Sequence, residues 1–169
     1  GGGFMLNYNF KNGNLTFIDG RETAPAKAKI DMFMKDGKVM GFREAWVSGK
    51  AVGSPGAVAL YKTAHERSGK IPWSDLFEYA INLAENGFEV SPRLAGFVKA
   101  LQTYGRLSIN EGSRDYFYPN GIPLKKGDIL KNKEYANTLK KISKGGIKEF
   151  YEGPIAQSIV ESVIKDPNP

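Results

Sequence analysis

The sequence predicts an α+β fold, a short β region followed by a predominantly helical one. Through the first forty residues, apolar side chains recur at every second position and are broken by Asn-Gly and Asp-Gly pairs. From Pro55 onward, apolar residues recur at three- and four-residue spacing, and the stretches start near Pro or Ser and stop at Gly. No linker composition separates the two regions. Residues 1–50, mainly β, and 51–169, mainly helical, are therefore expected to form a single unit, a sheet edge covered by helices.

Gly3 to Phe10 and Leu15 to Ile18 are read as two strands joined at Lys11-Asn-Gly-Asn14, whose Asn-Gly pair suits a tight hairpin. The two-residue period puts Phe4, Leu6 and Tyr8 on one face, and Leu15 with Phe17 likewise. Asp36-Gly37 marks a second turn. Ser54-Pro55 is expected to cap a helix ending near Gly69. Leu76, Ala80, Leu83 and Ala84 form a stripe that stops at Gly87. Ser91-Pro92 opens a third helix, carrying Leu94, Phe97, Val98 and Leu101, with Gly105 beyond its end. Tyr135 to Lys144 is a fourth, closed by Gly145-Gly146, and Pro154 starts a fifth with Ile155, Ile159 and Val163 four apart. Ser108 to Ile129 has no clear period and is expected to run as loops or short strands.

Composition excludes several chemistries. A hydrophobic fraction of 41%, of which aromatics supply 12% of the chain, suffices for a core in 169 residues. The absence of cysteine removes disulfides, thiol nucleophiles and thiolate metal sites. No apolar run reaches bilayer-spanning length, so no membrane span is expected in this chain. The net charge of +6 is partly local, since eight lysines face two acids between Gly121 and Lys148. No run of arginines and aromatics interleaves with those lysines as stacking on bases requires, so they read as a solvated helical face and not as a nucleic-acid surface.

The sole histidine, His65, falls in the last turn of its helix, where an imidazolium is comfortable against the helix dipole. One histidine without cysteine disfavours a transition-metal site, and no serine stands in a Gly-x-Ser-x-Gly elbow. The glycines at 49, 53 and 56 do not have nucleotide-loop spacing and are read as a turn before a helix, whose N-terminus retains a weak attraction for a carboxylate. Glu111 and Asp115 are too scattered to nominate as a general acid and base. No cofactor is expected.

Asp19-Gly-Arg-Glu-Thr-Ala-Pro25 is the most informative stretch. Arg21 and Glu22 stand side by side just after a strand, between a glycine and a proline. An arginine on such a turn offers a planar fork of donors to a carboxylate, and a neighbouring acid can hold the fork in place. From these seven residues alone, a surface ion pair is an equal reading.

The motifs that surround this stretch resemble, in order, the large subunit of the gamma-glutamyltranspeptidases, which are N-terminal-nucleophile hydrolases. Gly1 to Leu6 looks like the glycine-rich strand, Asp19 to Ala26 the arginine motif, and Asp31-Met-Phe33 follows. Gly53-Ser-Pro-Gly56 resembles the Gly-x-Pro-Gly turn. Tyr61, Gly69-Lys70, Pro72-Trp73, Ala80 to Ala84, Gly87-Phe88 and Leu94-Ala95 continue the pattern. Pro123-Leu-Lys-Lys-Gly-Asp128, Glu149-Phe-Tyr-Glu-Gly153 and Ile155-Ala156 complete it.

The resemblance implies part of an αββα sandwich and gamma-glutamyl transfer or hydrolysis. It assigns the nucleophile to a threonine opening a small subunit cut from the same precursor, so Thr23 and Thr103 are not candidates and no catalytic residue is expected here. It makes Arg21 the ligand of the donor's α-carboxylate and Glu22 its support. Glutathione is the implied donor, and water, an amino acid or a peptide the acceptor. A related acylase or poly-gamma-glutamate depolymerase is the alternative enzyme reading, and a basic helical nucleic-acid-binding module the alternative outside enzymes. The opening glycines lead straight into a strand, so the chain is read as an internal piece of a longer polypeptide, about a third of the precursor by resemblance, which the family would place in the periplasm or outside the cell.

Overall fold

The computed structural model describes residues 1–103, 107–108 and 110–166. Its contacts group into two compact units: Gly1–Leu76 together with the chain from Lys141 onward, and Phe77–Lys140.

The first unit opens with β1 (Phe4–Asn9) and β2 (Asn14–Asp19), an antiparallel pair in which Leu6 faces Phe17 and Tyr8 faces Leu15. The loop between them turns at Gly13, whose φ of 71° suits glycine, and its amide donates to the Asn9 carbonyl at 2.8 Å. The predicted hairpin is therefore present. Its two faces differ from the usual arrangement. Phe4, Leu6, Tyr8, Leu15 and Phe17 share one face and are all exposed, while Ile18 on the opposite face is buried. A second, two-residue-per-strand hairpin pairs β3 (Met34–Lys35) with β4 (Lys38–Val39) through Asp36-Gly37, both at positive φ, as a primed turn requires. The Lys35 ammonium donates to Glu44 at 3.0 Å, and that bond raises its pKa above the ordinary lysine value.

The short helix α1 (Phe42–Trp46) follows, and then α2 (Ala57–Ser68), which buries Leu60. The predicted cap of α2 is corrected. Ser54 and Pro55 lie before the helix, Gly56 occupies the cap position, and no side chain at that position caps it. Ser54 instead pairs with Thr23 as an isolated antiparallel bridge. His65 sits in α2 as predicted, but its ring serves as a staple: Nε2 hydrogen-bonds the Ile71 carbonyl at 2.8 Å, and the ring lies edge-on to Trp73. Since a carbonyl only accepts, Nε2 carries the proton.

In the second unit, α3 (Glu78–Asn86) ends at Gly87, at φ 96°, and β5 (Phe88–Glu89) begins at once. The next helix, α4 (Pro92–Thr103), starts where predicted, with Ser91 Oγ accepting from the Leu94 amide at 3.2 Å. Gly105, expected beyond its end, lies outside the described residues. The stretch from Ser108 to Ile129 holds a helix that periodicity does not reveal, α5 (Glu111–Phe117), capped by Asn110 through the Ser113 amide. At seven residues it is too short to display a stripe. Glu111 and Asp115 both pair with Arg114, an ordinary surface arrangement.

Pro123 to Asp128 forms a turn that feeds β6 (Ile129–Leu130) antiparallel to β5, with Val90 donating to the Asp128 carbonyl at 2.8 Å. Next comes α6 (Lys133–Gly145), capped by Asn132 two residues earlier in the chain than the sequence signal indicates. Val90, Val98, Tyr118, Leu124 and Leu130 make this unit's core. Burial raises the Tyr118 pKa, and its hydroxyl donates to the Val98 carbonyl at 2.7 Å. Tyr118→Phe is expected to lower stability by about 1 kcal/mol, because a hydrogen bond buried in an apolar core is lost while the Val98 carbonyl keeps its place in the α4 ladder. Thermal unfolding of wild type and variant measures this.

The chain returns to the first unit through the end of α6, α7 (Ile147–Tyr151) and α8 (Pro154–Ile164), the last starting at proline as predicted. Among the described residues no helix is long and apolar enough to cross a membrane.

Candidate functional site

Arg21 and Glu22 leave the end of β2 on a backbone held from several sides. Asp19 Oδ1 accepts from the Arg21 amide at 2.9 Å, an Asx turn that starts the bend. Gly3 and Gly20 exchange both backbone hydrogen bonds, at 3.0 and 3.2 Å, and Thr23 and Ser54 do the same at 2.8 and 3.2 Å. The arginine motif is thereby tied to the first strand on one flank and to the Gly53–Gly56 turn on the other.

Four glycines make this closeness possible. A Cβ on Gly56 would lie 2.7 Å from the Gly20 carbonyl carbon and 2.8 Å from the Arg21 carbonyl oxygen. One on Gly20 would run into Leu60 of α2. One on Gly2 would meet the Glu22 amide and Oε2, each at 2.5 Å, and one on Gly53 would press on the Glu22 Cγ at 3.1 Å. These positions are glycine because backbone passes against backbone or against the Glu22 and Leu60 side chains.

The two side chains of the pair are placed differently. The Glu22 side chain runs close to Gly2 and Gly53 and is still 40% exposed, and the Arg21 side chain is 68% exposed. Their closest ion-pair approach, Arg21 Nε to Glu22 Oε1, is 3.9 Å. An exposed pair at that distance contributes only ~0–1 kcal/mol to stability. The Glu22 carboxylate thus lies within ion-pair range of an exposed guanidinium without hydrogen-bonding it.

The N-terminus of α2 is not open to an anion at these donors. The Gly1 carbonyl accepts from the Gly56 and Ala57 amides at 3.1 and 3.3 Å, and the Tyr151 hydroxyl accepts from the Ala59 amide at 3.1 Å. Sequence reasoning missed Tyr151 altogether. Its segment matched a family motif, but a tyrosine so far along the chain from Ala59 carries no local signal that it caps that helix.

A family model described as gamma-glutamyltranspeptidase matches residues 1–166. The chain belongs to the gamma-glutamyltranspeptidase family. It is 42% identical over 168 residues to the glutathione hydrolase proenzyme of Escherichia coli K12, covering 98% of this chain and 28% of that protein. Among solved structures, it superposes on the gamma-glutamyltranspeptidase of Helicobacter pylori with a TM-score of 0.91 at 32% identity, over 98% of this chain and 47% of the other. The transpeptidase enzyme CapD of Bacillus anthracis gives 0.74 at 34% identity, over 97% and 48%. The α+β class and the N-terminal-nucleophile hydrolase fold expected from the family motifs hold for this chain. The segment spans little more than a quarter of the Escherichia coli relative's length.

Proposed function

We propose that this chain contributes the substrate-carboxylate clamp of an enzyme that transfers or hydrolyses gamma-glutamyl groups, with glutathione as a donor. The observation that carries the reading is the Arg21–Glu22 arrangement: an exposed guanidinium with its backbone anchored on both flanks and a neighbouring acid within ion-pair range. A gamma-glutamyl donor carries a free α-carboxylate remote from the scissile amide. A bidentate arginine on that carboxylate fixes one end of the donor and aims the other at the nucleophile.

The nucleophile in this reading is a threonine at the start of a small subunit released from the same precursor, with its own amino group as base. That subunit also supplies the oxyanion donors. The glutamyl group passes to the threonine hydroxyl as an ester with loss of the amine, and water or an acceptor amine then releases it. The apolar face of β1 and β2, exposed here, is consistent with a surface that further polypeptide covers in the complete protein.

N-terminal sequencing of the complete purified protein tests the arrangement. A companion polypeptide beginning with threonine, together with glutamate release from glutathione, supports it. An unprocessed protein without gamma-glutamyl activity removes it. Glu22→Ala is expected to raise the donor KM about 3- to 10-fold, since a guanidinium without its support still binds a carboxylate but less well aligned. Steady-state kinetics against donor concentration measures this, and an effect larger than that of Arg21→Ala would reverse the two roles.

A further inference from the structure

Tyr151 joins two family motifs that the proposed chemistry leaves without a role, Gly53–Gly56 and Glu149–Gly153. Half-buried at the end of α7, it donates its hydroxyl hydrogen to the Pro55 carbonyl at 2.8 Å and accepts from the Ala59 amide at 3.1 Å. One hydroxyl can do both. The ring is held independently, edge-to-face against Phe150 at 5.0 Å.

The segment that Tyr151 grips lies against the one that carries Arg21. Pro55 lies between Ser54, hydrogen-bonded to Thr23, and Gly56, which lies against the carbonyls of Gly20 and Arg21. The hydroxyl thus fixes the far side of a turn whose near side abuts the arginine motif. We infer that Tyr151 is a positioning residue for the carboxylate clamp, holding Arg21 in register through Pro55 and Gly56. This inference rests on the reading of Arg21 as the donor's carboxylate ligand.

The phenylalanine variant separates this role from simple support, because it keeps the ring and its packing and removes only the hydroxyl. In the complete protein, Tyr151→Phe is expected to raise the donor KM about 3- to 10-fold while kcat stays within about twofold, the pattern of a binding group moved slightly out of place. Tyr118→Phe is the control. It removes a comparable hydroxyl hydrogen bond in the other unit and is expected to lower thermal stability with the donor KM unchanged.

The second measurement is a cycle with Arg21→Ala. In that background Tyr151→Phe is expected to have no further effect on donor KM, since it acts through the arginine. An unchanged KM in Tyr151→Phe overturns the inference. So does an equal KM change in Tyr118→Phe, or an undiminished effect when Arg21 is already absent. If Arg21→Ala alone leaves the donor KM unchanged, the clamp reading itself fails and the positioning role with it. If Arg21→Ala raises KM and Tyr151→Phe does not, the clamp stands without Tyr151.

Discussion

Arg21→Ala in the complete protein is expected to reduce kcat/KM for a gamma-glutamyl donor about 100- to 1000-fold, chiefly through a higher KM. Losing one partner of a hydrogen-bonded charge pair costs roughly 2–5 kcal/mol, and each 1.4 kcal/mol is a factor of ten. The magnitude depends on the clamp being planar and bidentate. Arg21→Lys keeps the charge, and is expected to recover only part of the loss, because an ammonium cannot match both carboxylate oxygens in one plane.

A donor lacking the α-carboxylate gives the sharper comparison. Wild type is expected to process a 4-aminobutyryl anilide as poorly as Arg21→Ala processes the gamma-glutamyl anilide, and Arg21→Ala should not worsen it further. An equally large further loss on Arg21→Ala with the carboxylate-free donor would mean that Arg21 acts elsewhere than on that group. The exposure of the Arg21 side chain makes a stability artefact a poor explanation of any loss, since an exposed pair at 3.9 Å contributes little to folding.

Gly56→Ala is the second large effect. The new methyl would lie 2.7 and 2.8 Å from backbone atoms of Gly20 and Arg21, and neither can give way as a flexible side-chain end would. Overpacking of this kind costs about 1–3 kcal/mol. The variant is therefore expected to lower the apparent melting temperature and to raise the donor KM together, because the turn and the arginine motif must separate to admit the methyl. Gly41→Ala supplies the contrast. No atom lies within 4 Å of its added carbon, and its φ of −61° is open to any residue. It should leave both quantities unchanged. A Gly56→Ala enzyme with wild-type KM would show that the motif tolerates movement of its neighbour.

The parts of this protein legible in its sequence are those governed by nearest neighbours. Asn-Gly and Asp-Gly place the two hairpins, because positive φ is a local demand. Gly87 by its positive φ, Ser91 by its capping hydroxyl, and Pro92 and Pro154 by their fixed negative φ mark helix ends through equally local preferences. The pair Arg21–Glu22 is visible as chemistry on a turn, and the ordered motifs identify the family. Other features depend on chain segments that meet only after folding. Ser54 has the composition of a helix cap, yet its backbone pairs with Thr23, and the cap of that helix comes from the Tyr151 hydroxyl and the Gly1 carbonyl. The short helix Glu111–Phe117 shows no period and is recognised only from its backbone and its place beside the Val90 core.

The glycines divide along the same line. Gly13 and Gly87 are predictable because their own φ requires them. Gly2, Gly53 and Gly56 have no such requirement and are needed because another segment passes within 3.2 Å of where a side chain would begin. Alternation likewise assigns Phe4, Leu6, Tyr8, Leu15 and Phe17 to a face, but cannot say whether that face is covered. A period of two follows from strand geometry alone, whereas burial follows from what packs against the strand. Sequence by itself determined the family, the hairpins and the arginine that the proposed chemistry needs. Only the tertiary structure decided what anchors the backbone on either side of that arginine, because the Gly3 and Ser54 partners are near in space and remote along the chain.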